Sequence, residues 1–299
     1  MAEITLLDGG MGQELIARAG GRDPGPLWAT RVMIDHPGLV GQIHDDYFAA
    51  GASVATTNTY AILHDRLVRD GMDAFYHALH LRALAEAHEA KARAGRGMIA
   101  GSMGPLGDSY RPDLTPPVAV SAPLYAEKAR LLGPHVDVIL LETLSSLDLV
   151  RGALAGAQAA GVPVWLSVSV DDRDGSRLRS GEPVAALGDI IAEHSAAAVL
   201  ANCSMPEAME AAMAGLARFG LPFGAYANGF SEISALPLPD DGTAPPYCAR
   251  HDLTPERYAA FALRWVDMGA TIVGGCCEVG PAHIRHLAAR LREGGHTIR

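Results

Sequence analysis

Short apolar runs alternate with longer amphipathic, alanine-rich stretches from one end of the chain to the other. β-Branched and apolar runs of this length, bounded by glycine, proline or polar residues, predict buried strands. They fall at Ile4–Asp8, Ser53–Asn58, Met98–Ser102, Asp137–Glu142, Val164–Val170, Ala197–Cys203, Pro222–Asn228 and Ala270–Cys276. The stretches between them have helical spacing: Pro37–Ala50, Met72–Ala94, Ser121–Gly133, Ser146–Ala160, Pro183–Glu193, Pro206–Phe219, Thr254–Met268 and Pro281–Glu293. Start signals support several. Thr254-Pro255-Glu256 sets a capping hydroxyl before a proline at the first helical position, and Ser204-Met205-Pro206 and Gly280-Pro281 are similar. Strand–helix alternation repeated eight times predicts an α/β protein, a single (β/α)8 TIM barrel with its active site at the C-terminal ends of the strands. No shift of composition marks a boundary, so one domain over residues 1–299 is expected.

Long irregular stretches follow the strands at Gly20–Trp28, Gly104–Pro117, Asp171–Glu182 and the proline-rich Gly229–Leu253, whereas Ala160-Gly161-Val162-Pro163 and Phe219-Gly220-Leu221-Pro222 are short. Long loops on one face and short ones on the other put function on the long-loop face.

Composition narrows the partners. The 299 residues are 49% hydrophobic, which is enough for a substantial core, and the net charge of −10 argues against nucleic acid or an anionic membrane. No apolar run is long enough to span a bilayer, and the first residues lack the basic start and apolar core of a signal peptide. Four cysteines in a chain of this length are no disulfide framework, so a reducing cytoplasm and free thiols or metal ligands are expected. His77, His80 and His88 sit in helical stretches and read as solvated surface. Gly9-Gly10-Met11-Gly12 has the wrong spacing for a dinucleotide fingerprint.

Polar residues gather where the strands end: Asp8-Gly9-Gly10, Thr57-Asn58-Thr59-Tyr60, Gly101-Ser102, Glu142-Thr143, Asn202-Cys203, Tyr226-Ala227-Asn228 and Gly275-Cys276-Cys277. Apolar bodies with polar ends point to one polar cavity ringed by strand ends. Two adjacent thiols end the last strand and a third, Cys203, ends the sixth. Three thiolates suit zinc and leave a fourth position for a ligand. Such a centre already carries net negative charge, which favours alkyl transfer to a bound sulfur over water activation. Spacing alone equally allows three small buried apolar cysteines. Cys248 is left over and reads as an incidental thiol.

Together these segments resemble the homocysteine S-methyltransferase family, nearly end to end. Asp8-Gly9-Gly10-Met11-Gly12-Gln13-Glu14-Leu15, Leu27-Trp28-Ala29, Thr57-Asn58-Thr59-Tyr60, Gly101-Ser102-Met103-Gly104-Pro105, Leu141-Glu142-Thr143, Asn202-Cys203-Ser204 and Gly274-Gly275-Cys276-Cys277 carry the likeness. The resemblance implies a zinc-dependent barrel that methylates homocysteine to methionine. Cys203, Cys276 and Cys277 would hold Zn2+. Asp8 and Glu142 would face the α-ammonium of homocysteine, and backbone amides around Gly9, Gly10 and Met11 would take its carboxylate. Thr57, Asn58, Ser102 and Asn228 would line the pocket. The substrate thiol would lose its proton to the metal, so no protein general base is assigned.

The methyl donor must carry a cation beside the methyl, and aromatic faces hold such cations. Trp28, Tyr60, Tyr110 and Tyr226 lie in segments that could supply them. S-methylmethionine or S-adenosylmethionine is the favoured donor. Betaine or dimethylsulfoniopropionate comes second, and a methyl-corrinoid partner protein third. A different class remains as a rival, a barrel with purely structural zinc or with lyase activity. A homo-oligomer is left open. The chain departs from the family after the cysteines, where Glu278-Val279-Gly280-Pro281 replaces the usual Gly-Thr-Thr-Pro. That departure bears on the donor side; Glu278 is expected to face solvent.

Overall fold

The computed structural model describes residues 1–21, 25, 27–233 and 247–299. Eight strands appear where the apolar runs lie: β1 (Glu3–Leu6), β2 (Val54–Thr56), β3 (Met98–Met103), β4 (Val138–Leu144), β5 (Val164–Val168), β6 (Ala198–Asn202), β7 (Phe223–Tyr226) and β8 (Ile272–Val273). All pair in parallel, β2 with β3 and so on in sequence order to β8, which pairs with β1.

A ninth strand, β9 (Thr297–Ile298), was not legible in the sequence; it adds to the other edge of β1. That edge is shared. The amides of Thr297 and Arg299 donate to the carbonyls of Ala2 (3.1 Å) and Ile4 (3.0 Å), while Ser53, just before β2, donates to Leu6 O at 2.8 Å. The Ser53 hydroxyl accepts from the Leu6 amide at 3.0 Å. The sheet therefore curls until β1 and β2 meet at Ser53. With β9 occupying the lower part of the edge, β1 and β2 share no ladder among the described residues.

Because successive side chains point to opposite faces, each strand packs in two directions. In β4, Val138 and Leu140 join an inner cluster with Val54, Ala100, Leu200 and Tyr226. Ile139 and Leu141 face the other way, into the larger core beneath the helices. Strands buried on both faces read as unbroken apolar runs, which is why the sequence shows runs and not alternation. The same parity carries Thr56, Ser102, Glu142, Asn202 and Tyr226 inward at the C-terminal ends.

The helices that follow these strands are α3 (Leu39–Ala50), α5 (Tyr76–Ala94), α6 (Val118–Leu132), α7 (Leu147–Ala157), α8 (Leu187–Glu193), α9 (Met209–Leu216), α10 (Pro255–Asp267) and α11 (Pro281–Glu293). Thr254 caps α10, accepting from the Arg257 amide at 3.3 Å, and Ser146 caps α7 in the same way through Leu149. Ser204 does not cap; its hydroxyl donates to Val170 O at 2.8 Å and fastens the loops after β5 and β6 together.

Three short helices escaped the sequence reading: α1 (Met11–Arg18), α2 (Ala29–Asp35) and α4 (His64–Arg69). Each spans about two turns, too short for a periodic signal to build up. One consequence is that the first irregular stretch follows α1 and not a strand. His80 also differs from expectation. It is fully buried, with Nδ1 against Tyr76 O at 2.8 Å, while His77 and His88 are exposed as expected. No helix of the described residues is long and apolar enough to cross a membrane.

Candidate active site

The sulfurs of Cys203, Cys276 and Cys277 lie within 4.8 Å of one another. β7 runs between β6 and β8, and the two cysteine segments close over its end. Cys203 N donates to Tyr226 O (3.3 Å), Cys276 N to Ala227 O (2.9 Å) and Gly229 N to Cys277 O (2.8 Å). Glycine is required on the β1 side. A Cβ on Gly10 would stand 2.7 Å from Cys276 O, and one on Gly9 would stand 2.0 Å from Val279 O. The amides of this loop are engaged in that docking: Gly10 donates to Val279 O at 3.0 Å and Met11 to Gly9 O at 2.9 Å. The expected use of the Gly10 and Met11 amides for a substrate carboxylate therefore competes with internal bonds.

Cys203 and Cys276 are joined as a disulfide, whereas both were expected as reduced zinc ligands; Cys277 and Cys248 are free. The reason is proximity. Thiols brought close enough to share one metal ion are also close enough to bond to each other. Reduction restores three thiols. Cys203 Sγ already lies 3.9 Å from Cys277 Sγ, near the roughly 3.8 Å edge that a tetrahedron with metal–sulfur bonds of about 2.3 Å has. Burial pushes the Cys277 thiol up to about 12, with Glu278 and Glu142 adding to the effect. A thiolate there is stable only beside a cation. Asn202 orients the cluster: its Oδ1 accepts from Thr143 N (2.9 Å) and Ser167 Oγ (2.8 Å), and its Nδ2 points at Cys276 Sγ from 3.9 Å. The residues present fit a soft metal ion.

Two buried carboxylates share the site, Glu142 at the end of β4 and Asp8 just past β1, whose carbonyl accepts from Gly275 N at 2.9 Å. Glu142, 8% exposed, accepts from the Ser102 hydroxyl and from Tyr226 OH at 3.2 Å. Burial raises its pKa to about 7, against the lowering effect of those two hydrogen bonds. Asp8, 2% exposed, accepts from Thr56 N (2.7 Å) and Thr56 Oγ1 (2.6 Å); burial raises it to about 6. Neither has a basic side chain bonded to it among the described residues, so these carboxylates favour a cation brought by a ligand. Thr57 Oγ1 accepts from Ser102 N at 3.1 Å. Asn58 Nδ2 donates to Ala29 O at 3.3 Å. Asn228 is fully buried; its Oδ1 accepts from Phe230 N at 3.3 Å, and its Nδ2 has no protein partner among the described residues.

The aromatics divide into groups. Trp28 and Tyr60 meet edge to face at 6.1 Å. Gly12 makes room for the indole, since a Cβ there would lie 2.3 Å from it. Tyr110 instead packs with Cys203, Phe230 and Ile233, and Tyr247 and Cys277 border the same cluster. Tyr226, expected among the donor-facing rings, lies in the inner cluster with its hydroxyl on Glu142. Glu278 is half-buried and accepts from Gln13 Nε2 at 2.8 Å, not fully solvent-facing as expected.

Several residues of the site gave no sequence signal. Phe230 and Tyr247 lie in the aperiodic loop after β7. Arg179 and Asp172 form a buried ion pair (3.1 Å) inside a small hairpin after β5, and Arg179 also donates to Cys203 O at 3.1 Å. Thr56 could have been found from the period-two pattern of β2. Backbone strain marks the site as well. All five non-glycine residues with left-handed φ among the described residues are Trp28, Tyr110, Thr143, Cys203 and Glu278. Such conformations persist where surrounding structure enforces them, and they gather at functional sites.

The described residues thus form a curled parallel α/β sheet with a cysteine cluster at the C-terminal ends of its strands that could hold a metal ion. The homocysteine S-methyltransferase family model matches residues 5–291. The homocysteine S-methyltransferase of Escherichia coli (strain K12) is 29% identical, with 96% of this chain and 95% of that protein covered. The crystal structure of the E. coli homocysteine methyltransferase MmuM in its metallated form superposes with a TM-score of 0.79 at 27% identity, and the oxidized form with 0.80 at 28%; each covers 96% of both chains. The chain belongs to the homocysteine S-methyltransferase family and is a methyltransferase.

Proposed function

We propose that this chain transfers a methyl group from a sulfonium donor, S-methylmethionine or S-adenosylmethionine, to the thiol of L-homocysteine, with zinc held by Cys203, Cys276 and Cys277. The observation that carries the reading is the meeting of three sulfurs at strand ends that also present two buried carboxylates, to which no basic side chain among the described residues is bonded. Zinc, when bound, supplies the charge that keeps the acceptor sulfur deprotonated at neutral pH.

The chain's own residues do the rest. Glu142 and Asp8 receive the α-ammonium of homocysteine. Asn202 sets the direction of Cys276, and Arg179 that of the Cys203 backbone. Trp28 and Tyr60 present ring faces to the donor cation. The acceptor sulfur's electron pair forms the new S–CH3 bond as the donor's C–S+ bond breaks, and the donor leaves as a neutral thioether. No proton moves in that step, so no protein base is needed. Catalysis is positioning and charge balance. We further propose that residues 1–299 act as one domain, a closed (β/α)8 barrel sealed at Ser53, and that the protein works in the cytoplasm, where its thiols stay reduced.

The test is a donor panel with reduced, zinc-loaded protein and L-homocysteine, assayed for methionine. Methionine from S-methylmethionine or S-adenosylmethionine is the expected result. Turnover only with betaine, dimethylsulfoniopropionate or an added methyl-corrinoid protein would reassign the donor, and none from any donor would remove the reading.

A further inference from the structure

Lys128 is a buried charge that none of these roles uses. It sits on α6, 1% exposed, and its ammonium bonds to backbone: Thr59 O at 2.6 Å and Ile62 O at 3.2 Å. A buried ammonium is costly to desolvate, and methionine would fill a similar volume without that penalty. What the charge holds is the loop after β2, residues 57–63, which packs between α6 and β3.

On its far side the same loop is tied to β3. Thr59 Oγ1 donates to Ser102 O at 2.7 Å and shares a hydrogen bond with Thr57 Oγ1 at 2.7 Å. Thr57 Oγ1 in turn accepts from the Ser102 amide at 3.1 Å. The Ser102 hydroxyl then donates to Glu142. A continuous set of bonds thus runs from an outer helix through two strand ends to the carboxylate on the acceptor side. The same loop carries Tyr60 of the donor side, which has further anchors of its own: its hydroxyl bonds Ser109 Oγ at 2.8 Å and its ring packs against Trp28 and Gly104.

We propose that Lys128 is a positioning residue for the acceptor side of the site: by clamping the 57–63 loop onto β3 it sets the Ser102–Glu142 pair for the α-ammonium of the acceptor amino acid. The proposal rests on the acceptor assignment made above. Burial lowers the Lys128 pKa to about 7, and its protonated form favours ionised Glu142, a smaller effect than the burial that raises Glu142 to about 7; the positioning role therefore stands on the hydrogen bonds. Asp65 and Arg66 on α4 and His80 on α5 also face Lys128, with Asp65 supporting its charge and Arg66 opposing it.

The experiment compares wild type with Lys128→Met and Thr59→Val, each reduced and zinc-loaded, by steady-state kinetics in both substrates and by zinc content. Thr59→Val keeps the lysine and removes the hydroxyl links to Ser102 O and Thr57 Oγ1. Both variants are expected to raise the homocysteine KM by about tenfold or more, with the donor KM changed less than about threefold and zinc per chain unchanged. An unchanged homocysteine KM overturns the proposal, as does an equal rise in both KM values, which is what loose packing alone would give. Should Lys128→Met fail to fold, Thr59→Val decides by the same criteria. A wild type that forms no methionine from homocysteine with any donor sinks the acceptor assignment itself and the proposal with it, an outcome distinct from active wild type with indifferent variants.

Discussion

The sulfurs of Cys203 and Cys277 stand 3.9 Å apart although 74 positions separate them in the chain. Two strand ends on either side of β7 bring them together, and Cys276 completes the group. The same atoms can pair as a disulfide or share a metal ion, and not both at once.

Zinc binding should therefore follow reduction. Reduced protein is expected to bind one zinc ion per chain, and protein with Cys203 and Cys276 oxidised almost none, as read by metal analysis after desalting. Cys277→Ser should lose zinc and methyl transfer together. A zinc-free Cys277→Ser protein with full activity would contradict the account.

Glu142 makes the active site a burden on stability. Burial raises its carboxyl from the ordinary 4.5 to about 7, so the folded metal-free protein retains a proton that the unfolded chain releases. The stability this brings is fully present below about pH 4.5 and is lost as pH rises through about 7. Asp8, raised from 3.8 to about 6, adds a loss in a lower window. Glu142→Gln removes the titration. It is expected to be more stable than wild type at about pH 8, by on the order of 1–3 kcal/mol, while binding homocysteine at least about tenfold more weakly. Urea unfolding and calorimetric binding check the two halves; equal stability would contradict the burial argument.

Arg179 bridges a buried carboxylate and a cysteine backbone. The Asp172 side chain is fully buried, and it accepts from Met205 N (2.9 Å) and Ile233 N (2.7 Å) as well as from Arg179. Arg179→Met leaves a buried carboxylate without this cation and is expected to destabilise the fold by about 3–5 kcal/mol. Zinc affinity should fall with it, because Cys203 O loses the bond that fixes its turn. A stable variant with wild-type zinc affinity would show that the pair only packs.

Trp28 is held in a left-handed backbone conformation (φ 46°) with its indole over Gly12 and edge to face with Tyr60. Trp28→Ala is expected to raise the donor KM by about tenfold or more, the scale of one desolvated cation–π contact, and to leave the homocysteine KM unchanged. Normal donor kinetics would reduce the tryptophan to a packing residue.

The strands and the polar strand ends were legible because a parallel sheet buried on both faces writes itself as apolar runs, and the side chains that close each run inherit its parity. Glu142, Ser102, Asn202 and Tyr226 could be placed on that ground. What could not be read depends on contacts distant in sequence. β9 exists because the lower edge of β1 is open, which no local pattern announces. Tyr226 reads as one more aromatic until its hydroxyl is seen on Glu142. His80 looks like surface because helical spacing gives no phase when alanine dominates the neighbouring turns. Phe230 and Tyr247 belong to a loop without periodicity, and only the fold brings them beside Cys203.

The central claim is an open metal site made of three protein sulfurs, and X-ray absorption at the zinc edge tests it most directly. Reduced, zinc-loaded protein should show three sulfur neighbours plus one lighter ligand, and adding L-homocysteine should replace the lighter ligand with a fourth sulfur. A closed four-ligand shell that does not change when homocysteine is added would contradict it.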